Sequence, residues 1–247
     1  MNIIINQNKP NYIGENRENR ENRENLQQEI AYIIHYTPNV ERKKHILNEL
    51  YHANLHGIFI EKYDRDVLLP NEYIKFDYNI LSMGSISLLL KHIEAWKLIS
   101  ESTNKNYGII FEDDVILCDN FIYNLDLYIK QLPCNFDVLM INAGCNLHIP
   151  SDKLINGIHV YERGTHSTNW GGNGGTRCLD GYIISKETAK KYYEYFINLP
   201  DQPVINKQSD WFTNIIMKYY QSNVYWAEPN LVIQGSETGL FNLSYSK

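Results

Sequence analysis

The chain has 247 residues, 43% of them hydrophobic and 13% aromatic, which is enough apolar surface for a packed core. Its formal net charge of -6 speaks against broad binding to nucleic acid, which needs clustered cations. The four cysteines, Cys118, Cys134, Cys145 and Cys178, form no CxxC pair and have no histidine at zinc-ligand spacing, so reduced thiols are expected rather than a structural zinc site.

The start Met1-Asn2-Ile3-Ile4-Ile5-Asn6 is too short for a signal peptide, and nothing approaches the ~18 apolar residues of a membrane span. A cytoplasmic protein is the expectation. Asn242-Leu243-Ser244 matches a glycosylation acceptor and, without a secretion signal, is read as chance. Glu15-Asn16-Arg17 recurs at 18–20 and 21–23 and trails off at Glu24-Asn25. A three-residue period with no apolar position cannot bury a face. Residues 1–27 are therefore expected to form a mixed-charge mobile arm, and 28–247 the folded domain.

Residues 30–34 predict a first strand. Residues 40–55 predict a helix with Ile46, Leu47, Leu50, Tyr51 and Leu55 along one side, and 57–60 a second strand. A stronger helix is predicted over 86–100, where Leu89, Leu90, Ile93 and Trp96 lie at helical spacing with His92 in the same stripe. Residues 108–111 form another apolar strand. A helix over 121–132 follows, opened by Asp119 and stopped before Pro133, and then a strand over 136–141. The stretch Trp170-Gly171-Gly172-Asn173-Gly174-Gly175 lacks the Gly-Lys-Ser/Thr ending of a P-loop and reads as a pliable loop. Residues 181–184 predict a strand, Ser185 caps a helix to 196, and 211–220 makes the last helix before strands at 224–226 and 231–233. Strands alternating with helices, several of them uniformly apolar, indicate an α/β fold with a mainly parallel sheet. Such sheets bind ligands beyond the carboxyl ends of their strands.

The triplet Glu112-Asp113-Asp114 falls at such an end, between Gly108-Ile109-Ile110-Phe111 and Val115-Ile116-Leu117. Three successive carboxylates repel one another, and at the mouth of an apolar strand they call for a cation. Hard oxygen ligands suit Mg²⁺ or Mn²⁺, with phosphate oxygens completing the shell. Side-chain alternation lets Glu112 and Asp114 converge while Asp113 points away. A metal-assisted reaction on a phosphorylated substrate is the expectation, against the alternative of a solvated acidic turn.

From about residue 30 to 236 the chain resembles the family 25 glycosyltransferases, which include bacterial lipooligosaccharide and procollagen galactosyltransferases. Six elements carry the resemblance in order. They are Ile33-Ile34 followed by Glu41-Arg42-Lys43; Leu90-Lys91-His92-Ile93-Glu94-Ala95-Trp96; Ile110-Phe111 with the acid triplet; Gly181-Tyr182-Ile183-Ile184-Ser185 with Ala189; Ser209-Asp210-Trp211-Phe212; and Pro229-Asn230-Leu231-Val232-Ile233-Gln234. Lys91-His92 departs from the family's usual Ser-His. The resemblance implies a GT-A fold, a UDP-linked sugar donor and Mn²⁺ or a similar ion. It further implies that a hexose (glucose or galactose) passes, with inversion, to a hydroxyl of a glycan or protein acceptor.

On that resemblance Asp114 is the metal ligand, with Glu112 sharing the ion directly or through water, and Asp113 meeting the donor ribose or a backbone amide. Arg42, with Lys43, would face the diphosphate from a helix N-terminus; the alternative is a mixed-charge surface helix. His92 is either a donor-site residue or a hydrogen-bonded core histidine. An inverting transfer needs a base for the acceptor hydroxyl. Asp210 and Asp180 are the candidates. Asp210 is preferred although the helix dipole would lower its pKa, and Asp180 would alternatively hold sugar hydroxyls. Gln234 and Ser236 are expected to border the donor pocket, and Trp170 to stack on a sugar ring. The rival expectation is a catalytically silent glycosyltransferase-like module that binds a nucleotide sugar or glycan.

Overall fold

A computed structural model describes residues 29–103, 105–144, 146–163 and 177–241. The expected N-terminal arm, Cys145, the glycine-rich loop with Trp170, and Asn242-Leu243-Ser244 lie outside the described residues. Nine strands are described: β1 (Glu29–Ile34), β2 (Leu55–Ile60), β3 (Tyr107–Glu112), β4 (Val115–Leu117), β5 (Val138–Met140), β6 (Val160–Glu162), β7 (Gly181–Ser185), β8 (Val224–Ala227) and β9 (Val232–Gln234). The α-helices among the described residues are α1 (Val40–Ala53), α2 (Met83–Glu101), α3 (Phe121–Ile129), α4 (Lys186–Ile197) and α5 (Ser209–Tyr219).

Seven strands form one sheet in the order β2-β1-β3-β7-β5-β8-β6, and β4 pairs with β9 in a separate two-stranded ribbon. Strands β2, β1, β3, β5 and β8 run one way, while β7 and β6 run against them. The architecture is thus α/β around a sheet whose strands mostly share one direction. Period-two alternation divides the side chains between two cores. Tyr32, Ile34, Ile110, Met140 and Tyr182 belong to the core that also buries residues of α2, α4 and α5. Ala31, Ile33, Ile109, Phe111 and Ile183 belong to the core with α1 and α3.

Local chemistry sets the helix ends. The Asn39 side chain accepts a hydrogen bond from Arg42 N at the start of α1, and Asn54, left-handed at φ 55°, closes it. The buried ridge of α1 is Arg42, Ile46 and Leu50. Leu47 and Tyr51, expected on that side, are exposed, and Leu55 begins β2. A helix lying on only one side of the sheet buries one i,i+4 row, narrower than the stripe drawn from the sequence. Helix α2, packed between the sheet and helices α4 and α5, is buried on most sides. Helix α3 opens at Asn120, which is left-handed and makes no side-chain cap bond, rather than at Asp119. The expected Ser185 cap is present: its Oγ accepts from Thr188 N at 3.1 Å. Among the described residues, no helix is long and apolar enough to cross a membrane.

Candidate active site

Strands β1 and β3 are parallel neighbours, and their register sets Ile34 opposite Glu112. Their carboxyl ends therefore lie side by side. The chain turns at Asp113-Asp114 into β4, whose pairing with β9 brings Gly235 N to the Asp114 carbonyl at 2.8 Å. Across the sheet, Glu112 N donates to the Asp180 carbonyl at 2.9 Å, just before antiparallel β7. This register gathers Glu112 and Asp114 with Asp180, which is distant in sequence, into one acidic neighbourhood.

Asp114 and Asp180 are each 1% exposed. Ser236 Oγ donates to Asp114 Oδ2 at 2.7 Å, and an Arg42 guanidinium nitrogen lies 3.4 Å from the same oxygen. Asn142 Nδ2 donates both to Asp180 Oδ1 and to the Arg177 carbonyl. Asp114 Oδ1 and Asp180 Oδ2 are buried without a hydrogen-bond partner among the described residues. Burial, and after it the Glu112 charge, pushes the Asp114 acid up to about 6. The same two causes, in the same order, hold Asp180 well above the carboxylate range.

Among the described residues, no group of three or more His, Cys, Asp or Glu side chains is arranged to hold a metal ion. The orphaned oxygen of Asp114, with Glu112 beside it, nevertheless fits a hard cation. An ion bound through one or two carboxylates, with phosphates and water completing its shell, needs no full protein cage.

Asp113 does not stand apart from its neighbours: it shares one Arg42 guanidinium nitrogen with Asp114 and lines the same cleft as Glu112. Its Oδ2 meets His35 Nδ1 at 2.7 Å and its Oδ1 accepts from Arg42 at 3.1 Å. Arg42 is thereby buried between Asp113 and Asp114, which corrects the alternative of a mixed-charge surface position. Lys43 takes no part: it pairs with Glu61 over the Phe59 ring. Arg42, Glu112 and Asp113 line one part of a cleft of about 730 Å³, within the usual range for small-molecule sites. The cleft extends past Ile34, His35 and Tyr36 to Arg65, Asp66, Ser82 and Ser87. Arg65 lies over the Tyr36 ring at 4.3 Å, and the Tyr36 hydroxyl donates to Asp66.

His92 is fully buried. Its Nδ1 meets the Tyr182 hydroxyl at 3.1 Å, and its Nε2 lies 3.9 Å from Glu112 Oε1. It is both a hydrogen-bonded core histidine and a neighbour of the acids. Asp210 sits in the first turn of α5, where its Oδ1 accepts from Trp211 N at 2.8 Å. Its acid is raised, not lowered: burial comes first, the backbone N–H groups oppose it, and the Glu112 charge adds to it. Burial thus outweighs the helix terminus that the sequence argument invoked. Gln234 pairs with Val115 in the ribbon, and it is Ser236, two residues on, that touches the acids.

Three contributors escaped the sequence reading. His35 follows β1 directly, and Asn142 follows the 136–141 run, so each is a polar residue just past an apolar strand, the same signal that singled out Glu112. Arg177 is fully buried, donating to the Asn142 and Ala227 carbonyls at 2.9 and 2.6 Å and to Glu228 at 2.8 Å. A lone arginine beside a glycine-rich stretch carries no signal of burial.

Residues 28–211 match the profile of glycosyltransferase family 25 (LPS biosynthesis protein). A curated Haemophilus influenzae (strain Rd) protein, provisionally named a glycosyltransferase, is 34% identical over 177 residues, covering 68% of this chain and 58% of that protein. The chain thus spans little more than half the length of that relative. Two solved structures are also similar. The apo form of the Streptococcus pneumoniae glycosyltransferase GlyE has 9% identity and a TM-score of 0.47 over 85% of this chain and 55% of that one. A Drosophila β1,4-galactosyltransferase 7 variant, in complex with manganese, UDP-Gal and xylobiose, has 11% identity and a TM-score of 0.39 over 82% of this chain and 66% of that one.

Proposed function

The chain belongs to glycosyltransferase family 25, and from that premise we propose that it is a metal-dependent glycosyltransferase. In this reading it moves a hexose from a UDP-sugar to a hydroxyl of a glycan or protein acceptor, with inversion at the sugar carbon. The observation that carries the proposal is the meeting of Glu112, Asp114 and Asp180, two of them with orphaned carboxylate oxygens, beside a nucleotide-sized cleft.

In the proposed roles, Asp114 and Glu112 hold Mn²⁺ or Mg²⁺, which when bound neutralises charge on the departing diphosphate. Arg42, fixed by Asp113, supplies a permanent positive charge on the same side of the cleft. Asp113, kept in place by His35 and Arg42, forms part of the cleft wall toward the ribose. Asp180, oriented by Asn142, holds the donor sugar. Gln234, paired with Val115 in the ribbon, and His92, 3.9 Å from Glu112, support the donor site.

The acceptor hydroxyl oxygen forms a bond to the anomeric carbon as that carbon's bond to the diphosphate oxygen breaks. The bonding pair leaves with UDP and the hydroxyl proton passes to Asp210. An acid raised by burial is the better proton acceptor for this step.

The test is slow donor hydrolysis. Release of free sugar from a UDP-sugar in Mn²⁺, abolished in Asp114→Ala, is the expected result. Measurable UDP binding with neither hydrolysis nor transfer from any donor would instead identify a silent binding module.

A further inference from the structure

We infer that Trp96 and Tyr182 fix the tautomer of His92 so that its Nε2–H is a standing donor aimed at the Glu112 carboxylate, making His92 a positioning residue for Glu112. The functional weight of this contact rests on the proposed donor site; the contact itself does not.

His92 and Trp96 stand one turn apart on α2 and so share a face. Tyr182 lies on β7 opposite Ile110, two residues before Glu112 on β3. All three side chains are buried, so every polar atom needs an assigned partner. An indole N–H can only donate, and Trp96 Nε1 reaches the Tyr182 hydroxyl oxygen at 2.8 Å. That oxygen is therefore an acceptor, and the single hydroxyl hydrogen is left to point elsewhere. His92 Nδ1, at 3.1 Å, is the acceptor within reach among the described residues. The reverse arrangement would crowd two donors onto the phenol oxygen and strand its own hydrogen in the core.

Nδ1 is consequently the acceptor, and a neutral ring carries its hydrogen on Nε2. That atom is buried with no hydrogen-bond partner among the described residues, and Glu112 Oε1 lies 3.9 Å from it. The ring is held between the hydroxyl and the core, whereas the Glu112 side chain is partly exposed and lines the cleft. A small rotation of Glu112 completes the bond and leaves its second oxygen for a cation or a donor hydroxyl. Ligating carboxylates are commonly oriented by such outer contacts. Lys91 does not compete for Glu112, because its ammonium is engaged by the Ile60 carbonyl and Asp64 at 3.1 and 2.8 Å.

¹⁵N NMR of the histidine rings, at about pH 8, reads the tautomer directly. Ion-free wild type is expected to show His92 protonated at Nε2 alone, with that resonance displaced in Glu112→Gln. Tyr182→Phe is expected to mix the tautomers and to weaken Mn²⁺ binding, followed by electron paramagnetic resonance, on the order of tenfold. Tyr192→Phe removes another buried hydroxyl from the same core, one bonded to Ser222, and sets the level of a purely structural effect. An Nδ1-protonated His92 in wild type overturns the inference, as does equal weakening of Mn²⁺ binding by the two tyrosine variants. Wild type that takes up no Mn²⁺ yet shows the Nε2 tautomer coupled to Glu112 removes the metal from the proposed function and upholds the contact.

Discussion

Burial, with Glu112 beside it, raises the Asp114 acid from 3.8 to about 6, and this couples the fold to pH. A carboxyl harder to ionise in the folded than in the unfolded chain favours folding while neutral. Its contribution is complete below about pH 4 and is lost as pH rises through about 6. Asp114→Asn should therefore be more stable than wild type at pH 8, by up to about 3 kcal/mol, and should converge with it near pH 4 in thermal melts. Mn²⁺ added at pH 8 should close the gap by stabilising wild type alone. Equal stability at pH 8 without Mn²⁺ would mean that Arg42, 3.4 Å away, already offsets the burial. Asp210→Asn tests the base: transfer should fall at least about a hundredfold while the UDP-sugar dissociation constant stays within about twofold. Near-normal turnover would pass the role to Asp180. The acid triplet was legible because its apolar flanks rule out a solvated tail. The state of Asp210 was not, because it depends on a fold that brings α5 toward Glu112.

Apolar runs announce strands and helical spacing announces helices, and both readings located the major elements to within a few residues. Strand direction left no trace. A run such as Gly181–Ser185 is buried whichever way it points, so only the fold reveals β7 lying antiparallel between β3 and β5. The short β6 offers too few residues for a periodicity to show, and β4 was legible only as an apolar flank of the acid triplet. One connection at this scale bears directly on the site. A Cβ at Gly144 would lie 1.8 Å from the Arg177 carbonyl oxygen, so the segment after β5 can pass the segment before β7 only without a side chain. That same carbonyl and Asp180 Oδ1 both bind Asn142 Nδ2. Gly144→Ala should thus cost about 3 kcal/mol in urea unfolding and release Asp180 as well. A variant that unfolds like wild type would show that the two segments separate freely.

At the scale of the molecule, the acids are joined by contacts between residues far apart in the chain. Arg42 meets Asp113 across 71 positions, and Ser236 meets Asp114 across 122. The sequence supplied the pieces in the order expected of the family, but their convergence follows from the sheet order, which sets β1 next to β3 and β3 next to β7. That order also opens the cleft beyond Ile34 and Glu112, toward the start of α2, and leaves β8 and β6 at the far edge of the sheet. In the proposed arrangement, a donor held by its diphosphate near the acids would have its nucleoside end toward Tyr36, Arg65 and Ser82, which line the rest of the cleft. Hydrogen exchange with UDP and Mn²⁺ present should therefore slow at residues 35–42 and 82–88 and around 112–114, while β6 and β8 exchange as before. Asp114→Ala should erase the part of this protection that requires Mn²⁺. Protection centred on β6 and β8, with the cleft unchanged while calorimetry reports bound UDP, would place the nucleotide at the other end of the sheet and separate the acids from the donor.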